Sequence, residues 1–356
     1  MQRWMIIVLA ILFISGAIGA LGKVFIWGER ATNYGAWVPW GLWVSSYIFL
    51  VGVAGGAAWT GIYVALLNKS QPNRLTSLSL IAGGVCLAFG LAFIGIDLGK
   101  PLRGVNMFLH PTFSSRLAWA SWIYPIYFIC LAGYFFTNAK KFFMYLAGIT
   151  AIAFLLAEGL FFGSMVARQM WYTWLTPFSF FTSAFASGSA MVYLVDLVIL
   201  RDNQTSPSER QLLKKILIVT LIVHVLVEGV HFAFGIFGGA EKAVMLKLML
   251  ASWSFWGVFL LLGVALPFII LCNNQINQLW APSFVLVGMA AYKYSFIRYG
   301  FSIEPLPGIT GAHQHPRLTQ AYYPTSIEWL VAIGFIAGIF LMIQLAANFL
   351  LKQKEA

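Results

Sequence analysis

Charged residues are scarce in this sequence. Asp, Glu, Lys and Arg make up 9% of its 356 residues, whereas hydrophobic residues make up 60%. In soluble globular domains about a quarter of the residues are charged, so this composition excludes an ordinary soluble protein. The length leaves room for about ten membrane spans of roughly 20 residues each. We therefore expect an all-α, polytopic transmembrane helical bundle, arranged as two four-helix bundles plus flanking helices.

Cysteine and histidine are also rare. The three cysteines stand alone in apolar runs, which excludes a disulfide framework and any zinc or iron–sulfur site built on paired cysteines. Of the five histidines, only His224 and His231 lie inside an apolar run. One helix would carry both, about 10 Å apart along its axis, so they cannot bind a haem iron from opposite faces.

Two other histidines, His313 and His315, fall in a long loop rich in Pro and Gly. The pair could bind a metal ion, but we interpret it as part of a solvated loop. We therefore expect no haem, no iron–sulfur cluster and no metal site in this chain.

The excess of positive charge does not indicate a nucleic-acid partner. The 22 Lys and Arg residues outnumber the 11 acidic residues, but they are scattered through short loops between apolar runs. That distribution is typical of membrane topology signals rather than of a basic domain that binds a polyanion.

The apolar runs predict the individual spans. They lie near residues 5–22, 40–67, 76–97, 117–137, 142–165, 178–200, 212–237, 245–271, 282–299 and 326–350. Residues 1–21 have the shape of a signal peptide, but we interpret them as a retained first span. An even number of spans puts both termini on one side, and the loops on that side carry Lys and Arg, which favours the cytoplasm.

The chain turns sharply between the third and fourth predicted spans. Pro101 cannot continue a helix, because it lacks an N–H donor, and it closes the sequence DLGKP that begins at Asp97. A short cationic connection with Lys100, Arg103 and His110 accompanies this turn. We expect this polar turn to face outward from the cell.

Four acidic residues fall within predicted spans: Glu158, Asp196, Glu228 and Glu328. A charged side chain in a bilayer costs about 2.5–3.5 kcal/mol on insertion scales, so each one requires an explanation. Asp196, close to Arg201, and Glu328 lie near span ends, where we expect them to reach an interface. Glu158 and Glu228 lie deeper, on the side of the DLGKP turn.

Glu228 belongs to a polar stripe. His224 precedes it by four residues and His231 follows it by three, a spacing that places all three on one helical face. In a membrane this face must meet the protein interior or a wet cavity. The stripe is either a hydrogen-bonded cluster that holds helices together or a site that handles protons or binds a ligand.

Aromatic residues gather where the second span begins, at Trp37, Trp40 and Trp43. Aromatic walls beside a few ionisable groups suit a flat quinone ring, which accepts hydrogen bonds and exchanges protons with a neighbouring acid or imidazole. Composition alone does not distinguish such a site from the cavity of a transporter.

Three stretches resemble the NrfD/PsrC family, the integral membrane subunits of polysulfide reductase-like complexes. DLGKPLRGVNMFLHPTFSSRLAWASW, which starts at Asp97, resembles the family's signature turn. PWGLWVSSYIFLVGVAGG, which starts at Pro39, is similar to its first core helix, and WYTWLTPFSFFTSAFASG, which starts at Trp171, is similar to a further block of its pattern. About ten spans match the longer branch of the family.

The resemblance implies a haem-free subunit of a respiratory oxidoreductase in a bacterial or archaeal cytoplasmic membrane. Such a subunit exchanges electrons between quinone (menaquinone or ubiquinone) and a docked periplasmic ferredoxin-like iron–sulfur subunit, which serves a further catalytic redox subunit. Its quinone pocket lies near the outer face. Two departures stand out: short members have Asn and His where this chain has Trp37 to Trp40, and Glu158 replaces an expected pocket tyrosine.

On this basis we expect three regions: residues 1–36 as an N-terminal span and outer loop, 37–300 as the family core, and 301–356 as an outer loop and last span. The predicted proton-handling residues are Glu158, Glu228, His224 and His231. The predicted quinone pocket or docking surface comprises Trp37, Trp40, Asp97, Lys100, Arg103, His110 and Arg168. The alternatives are a secondary transporter or proton channel without a redox role, and a passive membrane anchor.

Overall fold

The computed structural model describes residues 3–67, 72–200, 205–273, 275–304, 308, 318 and 321–352. The ordered elements in these ranges are helical, with no β-strand. Nine helices of the described chain are long and apolar enough to cross a membrane. The protein is therefore a multi-pass, all-α membrane protein, as the composition predicts.

The helices are numbered in chain order. They are α1 (Arg3–Gly22), α2 (Leu42–Leu67), α3 (Arg74–Asp97), the short α4 (Asn106–Leu109), α5 (Arg116–Phe136), α6 (Lys140–Gly163), α7 (Thr176–Val195), α8 (Pro207–Phe237), α9 (Ala240–Leu250), α10 (Ser254–Cys272), α11 (Trp280–Gly300) and α12 (Ser326–Lys352). Most of α10, from Ser254 to Ala265, has the wider π-helical winding.

Two predicted spans differ from the observed helices. The predicted span 245–271 is divided, because α9 ends at Leu250 and α10 begins at Ser254. At the break the N–H of Phe255 is shared between the carbonyl (3.2 Å) and the hydroxyl (3.3 Å) of Ser252, three residues before it. The predicted span 282–299 is helical as α11, but it is more polar than the nine apolar helices found in the described chain.

The membrane helices form two groups of four with a flanking pair. The first group comprises α2, α3, α5 and α6, and the second comprises α7, α8, α10 and α11; they meet mainly along α2 and α7. Glycines permit this close approach, because a Cβ on Gly188 of α7 would overlap the backbone of Gly56 in α2, as in other small-residue helix contacts.

The flanking pair is α1 and α12, which cross at two glycines. A Cβ on Gly16 would lie 2.7 Å from Cα of Gly334, and Gly19 faces Val331. Along this contact the residue numbers increase in α1 as they decrease in α12, so the two helices are antiparallel. Residues 3 and 352 consequently lie at the same end of the bundle.

The loop after α3 marks the other end, which we call the DLGKP end and define by residues 97–116. The last turns of α1 and α3 meet there, where Lys23 Nζ donates to the carbonyl of Leu98 (3.5 Å). The start of α8 lies at the opposite end beside the start of α3, since Asn73 Nδ2 donates to Glu209 Oε1 (2.5 Å). The chain thus alternates direction from span to span.

Candidate functional site

The first element of the site is a carboxylate inside the bundle. Glu158 of α6 is 4% exposed, and neither carboxylate oxygen has a hydrogen-bond partner among the described residues. Helix α6 comes close to α7 here, because a Cβ on Gly159 would lie 2.7 Å from Cα of Pro177. A buried acid without a structural partner inside a membrane protein is a candidate for function.

The second element is a buried lysine. Lys293 of α11 is 3% exposed, and its Nζ lies 3.4 Å from the ring centroid of Phe180 in α7. Nζ has no hydrogen-bond partner among the described residues. Electrostatic interactions link Lys293 to Glu158 and to Glu228. A desolvated cation–π contact contributes about 2 kcal/mol or more, which offsets much of the cost of burying the ammonium group.

Sequence reasoning missed Lys293. The signal was present, because this lysine interrupts the apolar run of the predicted span 282–299. A buried basic residue requires the same explanation as a buried acid.

The third element is the polar stripe of α8, which faces the interior as its spacing predicts. His224, Glu228 and His231 are all buried. Glu228 accepts a hydrogen bond from the hydroxyl of Ser179 in α7, and His231 Nδ1 lies 3.4 Å from Glu228 Oε2. His224 Nδ1 lies 3.0 Å from Oγ1 of Thr182. These contacts with α7 fit a hydrogen-bonded cluster that holds helices together. His224 Nε2, however, has no hydrogen-bond partner in the described chain.

Buried hydroxyl groups extend these elements on both sides. Ser179 Oγ lies 3.1 Å from the hydroxyl of Tyr292, the neighbour of Lys293. The hydroxyls of Tyr47 in α2 and Tyr124 in α5 lie 2.8 Å apart, and both interact electrostatically with Glu158. We call this series the polar chain, and define it as Tyr124, Tyr47, Glu158, Lys293, Tyr292, Ser179, Glu228, His231 and His224.

An aromatic cluster lies toward the DLGKP end. Trp40 stacks on Trp171 with ring centroids 5.8 Å apart and 12° between the planes. Phe162 and Phe301 meet Trp171 edge-on at 5.2 and 5.1 Å. The guanidinium carbon of Arg168 lies 4.4 Å from the Phe301 ring, and partial burial lowers the pKa of Arg168. Trp40 and Arg168 of the predicted site therefore come together.

The aromatic cluster is continuous with the polar chain. Phe162 follows Glu158 by one helical turn on α6, so their side chains lie on the same face. The Phe162 ring stacks on the Phe180 ring, with centroids 5.3 Å apart and 29° between the planes. The ammonium group of Lys293 lies over the Phe180 ring. An unpaired acid, a buried cation and a flat aromatic wall thus meet in one region.

Asp97 belongs to a different group. Its neighbours are Tyr34, Lys23, Glu29 and Glu328, and Lys23 Nζ pairs with Glu29 Oε1 (2.9 Å). Burial and the neighbouring Asp97 carboxylate raise the pKa of Tyr34 well above its ordinary value. With Tyr322 these residues form a cluster that joins α1, α2, α3 and α12. Asp97 therefore lies in a structural junction rather than beside Glu158.

The remaining predicted residues lie at the surface or nearly so. Lys100, Arg103 and His110 are exposed. Trp37 is half-buried, and its Nε1 has no hydrogen-bond partner among the described residues. The predicted pocket thus separates into Trp40 and Arg168 near Glu158, Asp97 in the junction, and an exposed cationic loop.

Two acids predicted to reach a membrane interface are buried instead. Asp196 pairs with Arg210 Nε (3.0 Å), whereas the predicted neighbour Arg201 lies outside the described residues. Glu328 is fully buried and accepts the N–H of Thr325 (2.9 Å). Both acids lie at helix ends, as predicted, and partners within the protein account for their burial.

No group of three His, Cys, Asp or Glu side chains in the described chain is arranged to hold a metal ion. His313 and His315, the histidines of the long loop, lie outside the described residues.

Two open cavities of about 360 and 640 Å³ lie toward the end opposite the DLGKP end, and Lys215 of α8 lines both of them.

A family model described as "Polysulphide reductase, NrfD" matches residues 30–304, well over half of the chain. The chain belongs to the NrfD family. The match includes every residue of the polar chain and of the aromatic cluster.

Individual relatives of this NrfD-family chain are distant but align over most of its length. The C subunit of selenate reductase from Mesobacillus selenatarsenatis is 22% identical, over 92% of this chain and 90% of the relative. The Hdr-like menaquinol oxidoreductase integral membrane subunit of Archaeoglobus fulgidus is 22% identical, over 86% and 82%. The NrfD homolog of Haemophilus influenzae is 25% identical, over 67% and 84%.

Proposed function

We propose that this protein is the quinone-interacting membrane subunit of a multi-subunit respiratory oxidoreductase. One observation carries the proposal: the unpaired Glu158 carboxylate lies one helical turn from the aromatic cluster around Trp40 and Trp171. A flat apolar ring needs stacking surfaces, and its carbonyl oxygens need a proton source.

The chemistry assigns distinct roles to the two parts. Reduction of a quinone to a quinol takes two electrons and two protons, oxidation of the quinol releases them, and the electrons are exchanged with a redox partner. The Trp40 wall orients the ring, and Glu158 exchanges a proton with a quinone oxygen as general acid or base. His224, Glu228 and His231 supply or remove protons on the far side of Lys293.

The relatives support this assignment. The names of two of them, the Archaeoglobus fulgidus protein and a menaquinone reductase integral membrane protein of Nitratidesulfovibrio vulgaris, refer to menaquinol or menaquinone. The Mesobacillus selenatarsenatis relative is, by its name, part of a selenate reductase. We therefore assign membership of an oxidoreductase complex and a quinone substrate to this chain.

The exposed loop at the DLGKP end suits a docking partner. Leu102 is 90% exposed and Phe113 also projects outward from the bundle, next to the exposed cations Lys100 and Arg103. Exposed apolar groups with a charged rim are typical of protein interfaces. We propose that a periplasmic ferredoxin-like iron–sulfur subunit binds here and connects to a further catalytic subunit, with both termini in the cytoplasm.

A transporter or proton channel is the second candidate, because the polar chain extends through both groups of helices. It predicts solute or proton flux in liposomes that hold this chain alone. The quinone proposal predicts no such flux without a redox partner.

Purification from the native membrane in a mild detergent, followed by mass spectrometry, tests the proposal. We expect a co-purifying subunit with several four-cysteine ferredoxin-type motifs, and quinol-dependent electron transfer that a quinone-site inhibitor blocks. A chain that purifies alone and lacks such activity contradicts the proposal.

A further inference from the structure

We propose that Lys293 is a positioning residue which serves Glu158 and Glu228 alternately, so that a change of charge at one carboxylate alters the protonation of the other. This inference rests on the proposed function, in which Glu158 exchanges protons with the substrate. The observation behind it is a buried ammonium group that lies over the Phe180 ring, interacts electrostatically with two acids and is hydrogen-bonded to neither.

The position of Phe180 separates the two acids. Ser179, the residue before it, bonds Glu228, while Phe180 itself lies against α6 beside Gly159, the neighbour of Glu158. Lys293 Nζ lies over the face of this ring, 3.4 Å from its centroid. Phe180 thus holds the ammonium group next to the turn of α6 that carries Glu158 and one residue from the serine that bonds Glu228.

The surroundings favour movement of the ammonium group rather than a fixed pair. Salt bridges join Glu228 to His231 and Asp196 to Arg210, but none joins Lys293 to an acid in the described chain. A lysine side chain has four flexible carbons, so Nζ can turn from the ring toward either carboxylate. The rings of Tyr292 and Phe296 also surround the ammonium group, with centroids 5.7 and 5.9 Å from Nζ.

The exchange balances in charge and protons. When the Glu158 carboxyl gives its proton to a quinone oxygen, the resulting carboxylate attracts the Lys293 ammonium. The cation moves away from Glu228, whose carboxylate is then less stabilised and takes up a proton that comes from the aqueous phase. When Glu158 is reprotonated, the cation returns and Glu228 releases that proton.

The titratable groups that face Lys293 define the experiment. They are Glu158 on α6, Glu228 and His224 on α8, and the adjacent Tyr292 on α11. Infrared difference spectroscopy of the purified complex follows the carboxyl band of Glu228, which is assigned by its loss in Glu228→Gln. The measurement needs no quinone, so it remains informative even if the proposed function is wrong.

A double-mutant cycle tests the coupling. In Glu158→Gln the Lys293 cation has only the Glu228 carboxylate to stabilise. Because a nearby cation favours the ionised carboxylate, we expect the midpoint of the Glu228 titration to fall by about one pH unit. In a Lys293→Met background the same substitution should shift it much less, whereas a Lys293→Arg background should keep the shift. An equal shift with Met and Arg at position 293 overturns the proposal.

A second readout uses turnover in the intact complex. Lys293→Met should lower kcat and change its pH profile, with KM for quinol within about twofold, and Lys293→Arg should restore most of kcat. If Lys293→Met does not assemble, the Lys293→Gln variant replaces it in both measurements. Loss of activity with Arg and Met alike, together with an unchanged pH profile, assigns Lys293 a merely structural role.

Discussion

Trp40 and Trp171 stack almost in parallel, with ring centroids 5.8 Å apart. The stack joins the start of α2 to the loop before α7, and Trp171 is fixed because its Nε1 donates to the carbonyl of Phe296 in α11 (2.9 Å). Three helices therefore hold one aromatic surface. This surface, rather than the exposed DLGKP loop, lies next to Glu158.

The close packing behind Trp171 gives the first prediction. Gly300 lies so close to Trp171 that a Cβ would overlap the indole ring. We expect Gly300→Ala to displace the ring and raise KM for quinol about tenfold, a change of about 1.4 kcal/mol. Steady-state kinetics with a short-chain quinol checks this. Gly95→Ala is the matched control, because nothing lies within 4 Å of its Cβ; equal effects of the two substitutions contradict the prediction.

The second prediction concerns the acid itself. Glu158→Gln removes the exchangeable proton but keeps the size of the side chain, so quinone turnover should fall by about 10²-fold or more, while the complex still assembles. Glu209→Gln is the control, since glutamine also completes the capping box at the start of α8 and its amide oxygen can still accept the hydrogen bond from Asn73. Unchanged turnover in Glu158→Gln would remove this residue from the mechanism.

The third prediction concerns the proposed docking loop. Leu102→Ser should weaken association with the iron–sulfur subunit about tenfold, because a buried apolar anchor contributes about 1–2 kcal/mol to an interface. Co-purification at graded detergent dilution measures the loss. Phe136→Ser is the control, since Phe136 is 71% exposed at the opposite end. Retention of the partner by the Leu102 variant would place the docking surface elsewhere.

The fourth prediction tests the junction at the DLGKP end. Tyr322 donates to the Glu328 carboxylate and accepts the N–H of Leu42 (2.8 Å). Tyr322→Phe should cost about 1–3 kcal/mol, because both groups lose a buried partner. Thermal melting in detergent measures this, and Tyr323→Phe is the control because that ring is exposed. Equal melting temperatures for the two variants would show that the junction contributes little to stability.

The same residue gives a dependence on pH. Burial and the Glu328 carboxylate raise the pKa of Tyr322 above its ordinary value. The folded state therefore holds this proton more tightly than the unfolded state, and the stabilisation is complete below about pH 10, the ordinary tyrosine pKa. This stabilisation is lost as the pH rises above that value toward the higher pKa that Tyr322 has in the folded state. The difference in melting temperature between wild type and Tyr322→Phe should stay constant below this pH and shrink above it.

Periodicity and composition predicted the parts of the fold that depend on local sequence. The nine apolar helices of the described chain, the turn at Pro101 and the inward face of His224, Glu228 and His231 all follow from hydrophobic runs and helical spacing. The division of the predicted span 245–271 did not, because it depends on a local turn in which the carbonyl and the hydroxyl of Ser252 share the N–H of Phe255.

The site was harder to predict, because its members come from different helices. The structure brings the Trp40 ring close to the helix that carries Glu158, whereas Asp97, predicted for the same pocket, packs against α1 and α12. Sequence order could not reveal that Trp171 completes the aromatic wall. Lys293 is visible in the sequence as a lysine inside an apolar run, but sequence alone does not show that it lies near Glu158 and Glu228.

The most direct test of the central claim is photolabelling of the complex in its native membrane with a photoreactive quinone analogue. The account predicts labelled peptides around Trp40 and around Glu158 and Trp171, which a competing quinol protects. Labelling that no quinol suppresses, or that is confined to lipid-facing residues such as Ile129 (65% exposed), would contradict it.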